Sequence, residues 1–502
     1  MGVVWRAVHR PDGTPVAVKV LTPNAADRED FILAIKEEIR AVAGLNHPNV
    51  IWIHDHGEVG PEAAEASGGA LVEGGPWLAL EFCEGKTLRE LAPKLDWEGI
   101  RAVLLDLLGA LAHAHAHGVI HRDIKLANVL VGGARPGIKL TDFGIMYAQE
   151  RRDGKGDAAA PVNAGTPAYM APEQLLGWED AQGPWTDLYQ FGVMAWKLIT
   201  WGCPAEGDVR QLMLAKNAEQ WVPFKPVVPV PDGVEAWLMR LMKRWPEERF
   251  RCAADAAYAL KQLGRAPRGE RKIPEGLWNA DSTTLMGSEE MLDELLESIP
   301  PAKQAAPVVC NPLPRDWREV ETNATLPASL IGAGLGLFGL RMVPVIGREA
   351  ERDALWTGLA SVHRSRTPRV VVLRGPVGSG KTHLADWMCR KAEEVGGGIA
   401  VRGTYAIGGG ALQGVEQAIA RYLRCIGATR EEVERRVDAV FDRFAVGDAD
   451  EAAHLVALLH PEDEEGAPRV EFRHRAERHE LLARFLERLA RERPVVLFLD
   501  DV

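Results

Sequence analysis

Apolar and polar positions divide the chain into three stretches of different character. In the first, Gly118-Val119-Ile120, Val129-Leu130-Val131 and Ile138-Lys139-Leu140-Thr141 are short β-rich runs, read as strands set close together along the chain. Phe31, Ile35, Ile39 and Val42 form one apolar stripe at about 100° per residue, as a helix requires. Leu188, Phe191, Ala195 and Leu198 recur at the same spacing and predict a core helix. From 264 to 343 the pattern lapses. Pro267, Pro274, Pro300, Pro301, Pro307, Pro312, Pro314 and Pro327 mark a linker, with one short amphipathic helix expected over 291–296. The run 330–340 is apolar and glycine-rich, but its length falls short of the ~20 residues a bilayer span needs. It reads as a docking strip at the start of the next domain, and no membrane insertion is expected. Periodicity returns beyond 344, with a buried strand over 369–374, a second apolar run over 495–499, and striped helices over 411–422, 430–444 and 471–489.

Two motifs sit on this pattern. His121-Arg122-Asp123-Ile124-Lys125-Leu126-Ala127-Asn128 falls between the strands at 118–120 and 129–131, and Asp142-Phe143-Gly144 follows the strand at 138–141. Phosphoryl transfer needs a carboxylate to take a hydroxyl proton, a cation to offset charge on the transferred group, and oxygen ligands for magnesium. Asp123 is the candidate base and Lys125 the candidate cation. Asn128 and Asp142 are hard oxygen donors suited to Mg2+. In the second motif, 369–374 feeds Gly375-Pro376-Val377-Gly378-Ser379-Gly380-Lys381-Thr382 and then a helix. Strand, small-residue loop and helix make a phosphate cradle, in which backbone N–H groups wrap the phosphates, Lys381 reaches the terminal ones and Thr382 binds magnesium. The run 495–499 ends on Asp500 and Asp501, the first placed to orient magnesium and the second to polarise water.

From Gly2 to about Leu263 these residues resemble the eukaryotic-type serine/threonine protein kinases found in bacteria. The resemblance implies an α+β bilobal kinase fold over 1–264, with an N-lobe over 1–80 and a C-lobe over 84–264. It makes Val16-Ala17-Val18-Lys19-Val20 the strand whose lysine binds the α- and β-phosphates of ATP. Lys19 then meets a glutamate on the next helix. Of the two adjacent candidates, Glu38 lies within roughly 60° of the apolar stripe's centre and Glu37 points away, so Glu38 is the expected partner. Val4 and Ala17 join the implied nucleotide site. Trp77-Leu78-Ala79-Leu80-Glu81-Phe82-Cys83 resembles the hinge, where backbone groups of Glu81 and Cys83 bind adenine and Leu80 backs the pocket. The run 165–173 resembles the segment closing the activation loop, with Glu173 paired to Arg249. Lys125, two residues after the base, is the spelling of serine/threonine kinases. From 344 to 502, with Gly347-Arg348-Glu349 ahead of the phosphate loop, the chain resembles the AAA-related signal-transducing P-loop ATPases, implying an α/β domain that binds ATP through Gly375, Gly378, Gly380, Lys381, Thr382 and Asp500. The linker occupies 265–343.

The chain departs from the kinase pattern in two places. Gly2-Val3-Val4 resembles only the end of the glycine-rich phosphate loop, so the native protein is expected to begin upstream of Met1. Further strands are expected beyond Val502. Between Gly144 and Gly165 there is no serine or threonine to carry the phosphate that pairs with Arg122; Asp153 or Asp157 is expected to substitute, or the second domain to control the switch.

Composition narrows the remaining classes. A net charge of -12 argues against a nucleic-acid partner. Six scattered cysteines predict reduced thiols. No secretory leader is legible at the start, which favours a cytoplasmic protein. His113 and His117 share a helix face without a carboxylate or thiol at ligand spacing, so no zinc site is expected. The reading is a kinase acting on protein serine or threonine, tethered to a P-loop switch that is a candidate for homo-oligomerisation. Its rival is an inert kinase-shaped scaffold assembled by nucleotide binding to the second domain.

Overall fold

The computed structural model describes residues 2–21, 39, 42–132, 137–143, 167–178, 181–267, 269, 310–320, 334, 337, 341, 344–405, 412–444, 448–460, 472 and 474–501. The chain separates into two compact units, 1–303 with 322–343, and 304–321 with 344–502.

The first unit opens with an antiparallel sheet of order β1-β2-β4-β3, built from β1 (Gly2–Val8), β2 (Pro15–Leu21), β3 (Ile53–Glu58) and β4 (Pro76–Glu81). Register places Val4 opposite Lys19 and Lys19 opposite Leu78, while Ala17 faces Leu80. Directly paired residues and those two positions along share a face of the sheet, so Val4, Ala17, Lys19 and Leu80 lie on the same side.

Beyond the sheet the unit is helical: α1 (Trp97–Ala116), α2 (Pro184–Thr200), α3 (Val209–Asn217), α4 (Val234–Leu241) and α5 (Ala253–Gln262). Every residue of α2 from Thr186 to Thr200 is buried, so this helix is the axis around which the others pack. Gly192 permits the closest approach, since a Cβ there would stand 2.8 Å from Cβ of Leu241 on α4. Phe191 meets Trp237 of α4 edge to face at 6.1 Å. Each such large apolar side chain contributes about 1.5–3 kcal/mol when withdrawn from water. Between α1 and α2, β5 (Val129–Val131) and β6 (Ile138–Leu140) form an antiparallel pair. The expected strand at 118–120 is not formed. Gly118 takes a positive φ of 75° and Val119 N–H returns to the Ala114 carbonyl, so this stretch terminates α1 by a glycine cap.

The strip at 330–340 behaves differently from its reading as an approach to the second domain. Its described residues belong to the first unit. Leu337 is fully buried, and nearby Arg341 donates to the Ile53 carbonyl at 2.6 Å while stacking 4.5 Å from the Trp52 ring. An arginine beside two carbonyls of β3 and an indole face gains both hydrogen bonds and cation–π attraction, which fixes Arg341 on β3. The expected helix at 291–296 lies outside the described residues.

The second unit pairs β7 (Ile399–Thr404) with β8 (Val495–Asp500) in parallel. Around them stand α6 (Glu349–Ser365), α7 (Lys381–Glu394), α8 (Gly414–Tyr422), α9 (Arg430–Arg443), α10 (Ala449–Leu459) and α11 (Arg475–Glu492). One core gathers Val401, Ile419, Val433, Leu455 and Phe485; another gathers Trp317, Trp356, Met388 and Val395. The three expected helices are present with ends shifted by a few residues at most. The buried strand expected over 369–374 is not. Among the described residues it has no hydrogen-bonded neighbour, and Val370 is 91 % exposed. A strand is stabilised by its ladder, so an apolar run without a partner stays extended and unpaired.

Candidate active site

The catalytic loop is held from beneath by one carboxylate. Asp187 lies in the first turn of α2 and is fully buried, and it accepts from His121 N–H at 2.8 Å and Arg122 N–H at 2.7 Å. His115 Nε2 on α1 lies 2.8 Å from the same carboxylate. These bonds bracket Arg122, whose φ of 65° is unfavourable for a residue with a Cβ. Burial pushes the Asp187 carboxyl up. Its hydrogen bond with His115, the charges of His115 and His121 and the His121 N–H outweigh that effect and hold it below the usual range.

His121 links this frame to the next motif. Asp123 N–H donates to His121 Nδ1 at 3.2 Å, so the proton resides on Nε2, which donates to the Thr141 carbonyl at 2.9 Å. The ring rests on Phe143 with centroids 4.5 Å apart. Gln190 of α2 completes the support, accepting from Ile124 N–H at 2.9 Å and donating to the Arg122 carbonyl at 2.7 Å.

On this platform Asp123, Lys125 and Asn128 converge. Asp123 Oδ2 lies 2.8 Å from Lys125 Nζ and accepts from Asn128 Nδ2 at 3.0 Å. Asn128 Nδ2 also donates to the Asp123 carbonyl at 2.8 Å. With its amide nitrogen turned toward two acceptors, Asn128 has Oδ1 as the atom that could hold a cation. Asp142, at φ 63°, has Oδ1 2.7 Å from Lys19 Nζ. The structure thus brings together five of the expected residues: Lys19, Asp123, Lys125, Asn128 and Asp142. Glu38, the expected partner of Lys19, lies outside the described residues, as do Asp153 and Asp157.

The hinge residues carry more than backbone groups. Glu81 ends β4 with its N–H bonded to the Trp52 carbonyl at 2.8 Å, and its buried carboxylate pairs with buried Lys139 of β6 at 2.9 Å. Burial, and secondarily Glu81, pushes the Cys83 thiol up to about 11, so it stays neutral beside the hinge. The expected pair of Glu173 and Arg249 is bidentate, at 2.8 and 2.9 Å. Arg249 sends its remaining N–H groups to the carbonyls of Lys243, Trp185 and Arg244, leaving no buried donor unmet.

In the second unit Gly378 and Gly380 take φ of 78° and 83°, opening the loop ahead of α7. Lys381 Nζ lies 3.0 Å from the carbonyls of Gly375 and Pro376. Thr382 Oγ1 donates to Asp500 Oδ2 at 2.8 Å, so the hydroxyl and carboxylate expected to share a magnesium ion are already adjacent.

Several supports escaped the motif reading: His115, Lys139, Gln190 and Gln174, which donates to the Arg122 carbonyl. Two left a trace in the pattern. Lys139 is a charge between apolar strand residues, and Gln190 is an amide inside a largely apolar helix. Both are polar groups where burial requires a partner.

Comparison with known proteins agrees with this geometry. Residues 1–257 match the protein kinase domain family and residues 344–502 match the AAA ATPase domain family. The first match takes in more than half of the chain, which belongs to the protein kinase family. The serine/threonine-protein kinase PknA of Mycobacterium tuberculosis is 33% identical over 288 residues, 55% of this chain and 62% of that protein. PknB of Mycobacterium leprae is 30% identical over 285 residues, 54% of this chain and 42% of that protein. The chain therefore spans less than two thirds of the length of either relative.

Proposed function

We propose that the chain transfers the γ-phosphate of Mg-ATP to serine or threonine hydroxyls of a protein acceptor, and that its P-loop unit binds nucleotide to regulate that transfer. The observation that carries this reading is the cluster of Asp123, Lys125 and Asn128 on the loop held by Asp187, together with the Lys19–Asp142 pair. Asp123 takes the proton from the acceptor hydroxyl. Lys125 offsets charge on the transferred group. Lys19 leaves Asp142 for the α- and β-phosphates, and Glu81 and Cys83 bind adenine through their backbone against Leu80, Ala17 and Val4. Asn128 Oδ1 and the Asp142 carboxylate would hold magnesium, which would supply positive charge against the phosphates. In the other unit Lys381 binds phosphate, with Thr382 and Asp500 holding the metal. Serine or threonine as acceptor follows from the Lys125 spelling and the relatives' printed names. A cytoplasmic location and assembly through the P-loop unit belong to the same proposal; among the described residues no helix is long and apolar enough to cross a membrane.

Transfer of labelled phosphate from ATP to a generic protein acceptor tests the reading. Asp123→Asn lowers turnover about 10²–10⁴-fold while nucleotide affinity stays near that of the unmodified chain. Unchanged labelling by this variant rejects the assignment.

A further inference from the structure

Lys216, in the last turn of α3, is fully buried. Its Nζ donates to three backbone carbonyls of one loop: Pro167 at 3.1 Å, Ala168 at 2.9 Å and Met170 at 2.5 Å. One turn earlier on the same helix, Met213 packs with Met170, Leu175 and Leu176. An apolar residue would suit this surrounding at lower cost, because a buried ammonium is tolerated only when fully hydrogen-bonded. The charge therefore serves the carbonyls. The loop it grips continues into Gln174, which donates to the Arg122 carbonyl at 3.0 Å, one residue from Asp123. That bond joins the loop to the backbone next to Asp123, the proposed base for the acceptor hydroxyl.

We infer that Lys216 is a positioning residue for the protein acceptor: by gathering the carbonyls of Pro167, Ala168 and Met170 it fixes the loop against which the acceptor backbone lies beside Asp123. The inference rests on the kinase reading above. Three carbonyls require three N–H groups, which only the ammonium form supplies; the neutral amine has two and leaves one carbonyl unbonded. The groups around it set the pH at which that occurs. Burial brings Lys216 down to about 7, against the upward pull of Cys203 in the loop after α2 and of Glu173 in the helical turn Pro172–Leu175. The Tyr189 ring of α2 lies 5.5 Å from Nζ, its hydroxyl kept neutral by burial, and Arg249 stacks 4.9 Å from the same ring. Raising pH through 7 thus loosens the loop without touching the nucleotide site.

The test is steady-state kinetics of the full chain with a serine peptide, varying peptide and ATP separately from pH 6.5 to 8.5. For the unmodified chain the peptide KM rises several-fold with pH while the ATP KM stays level. Lys216→Arg, charged throughout, removes that rise. Lys216→Met raises the peptide KM about tenfold at pH 6.5 with kcat and ATP KM retained. A flat peptide KM in the unmodified chain, or an equal rise in Lys216→Arg, overturns the inference even if Lys216→Met fails to fold. Parallel increases in both KM values for Lys216→Met would make the lysine merely structural and overturn it too. No labelling by the unmodified chain at any pH would instead reject the kinase reading itself.

Discussion

Asp187 and Asp500 each brace a loop assigned above to phosphate handling, and they do so under opposite conditions. Asp187 is fully buried, faces three donors from two elements, and holds a backbone that would otherwise relax from a left-handed φ. Asp500 ends a strand near solvent and accepts from the Thr382 hydroxyl alone among the side chains described around it. In the first site the geometry is made by the fold, since the carboxylate and its donors are locked before any nucleotide arrives. In the second, loop glycines and a half-buried lysine form a cradle whose geometry the proposed nucleotide would complete. Preorganisation removes reorganisation from the chemical step, whereas an open cradle suits a site that reports nucleotide binding.

The largest effect on this contrast comes from Asp187→Asn. One amide oxygen cannot accept from His121, Arg122 and His115 together, so Arg122 loses its restraint and Asp123 shifts. Turnover falls about 10²-fold, as sub-ångström displacement of a base allows, and unfolding free energy drops by about 3–5 kcal/mol. Acid unfolding carries the same signature. The folded carboxyl sits below the ordinary aspartate value of 3.8, so its contribution is complete above that pH and fades as pH falls through the folded value. Full activity and a native denaturation curve in Asp187→Asn would erase the distinction between the two loops.

Next in size is the Glu173–Arg249 pair, which sharpens the comparison by showing that the first unit depends on buried charges away from its chemistry. Glu173→Gln leaves Arg249 charged and half-partnered, and costs about 3–5 kcal/mol by urea unfolding. Adding Arg249→Met recovers part of that loss because the stranded charge is gone. A double variant that loses the full sum of its singles would show the two groups to be uncoupled.

How much of this was legible beforehand follows the same division. Residues that touch nucleotide or acceptor in the proposed mechanism are spelled in consecutive motifs, because chemistry demands particular side chains at fixed spacing. Asp123, Lys125, Asn128, Asp142 and Lys19 were readable for that reason, and so was the Glu173–Arg249 pair. The supports were not. His115 and Asp187 lie 72 positions apart, and only the packing of α1 against α2 makes them neighbours. Glu81 was read for its backbone, while its side chain is committed to Lys139 across two sheets. The run 369–374 failed for a related cause: its valines report an apolar strand, but the ladder that makes a strand belongs to a neighbour the pattern cannot name.

The P-loop side is tested by Lys381→Ala and then by the smallest change, Thr382→Val. Among the described residues Lys381 bonds to the carbonyls of Gly375 and Pro376 in an open loop, so its removal alters unfolding free energy by no more than about 0.5 kcal/mol. Nucleotide affinity of the second unit, followed by calorimetry, still falls about tenfold or more, because the lysine is the loop's cation. Thr382→Val keeps shape and removes one hydroxyl. It deletes the bond to Asp500, which is accessible to water and so loses little by regaining it as partner. Stability therefore stays within about 0.5 kcal/mol, and ATP binding without magnesium is unchanged. The enhancement of ATP binding by added magnesium shrinks, since the hydroxyl is one of the two protein oxygens assigned to the metal. If magnesium strengthened ATP binding equally in both proteins, Thr382 and Asp500 would be a hydrogen-bonded pair with no part in holding the ion, and the open site would owe its geometry to the fold after all.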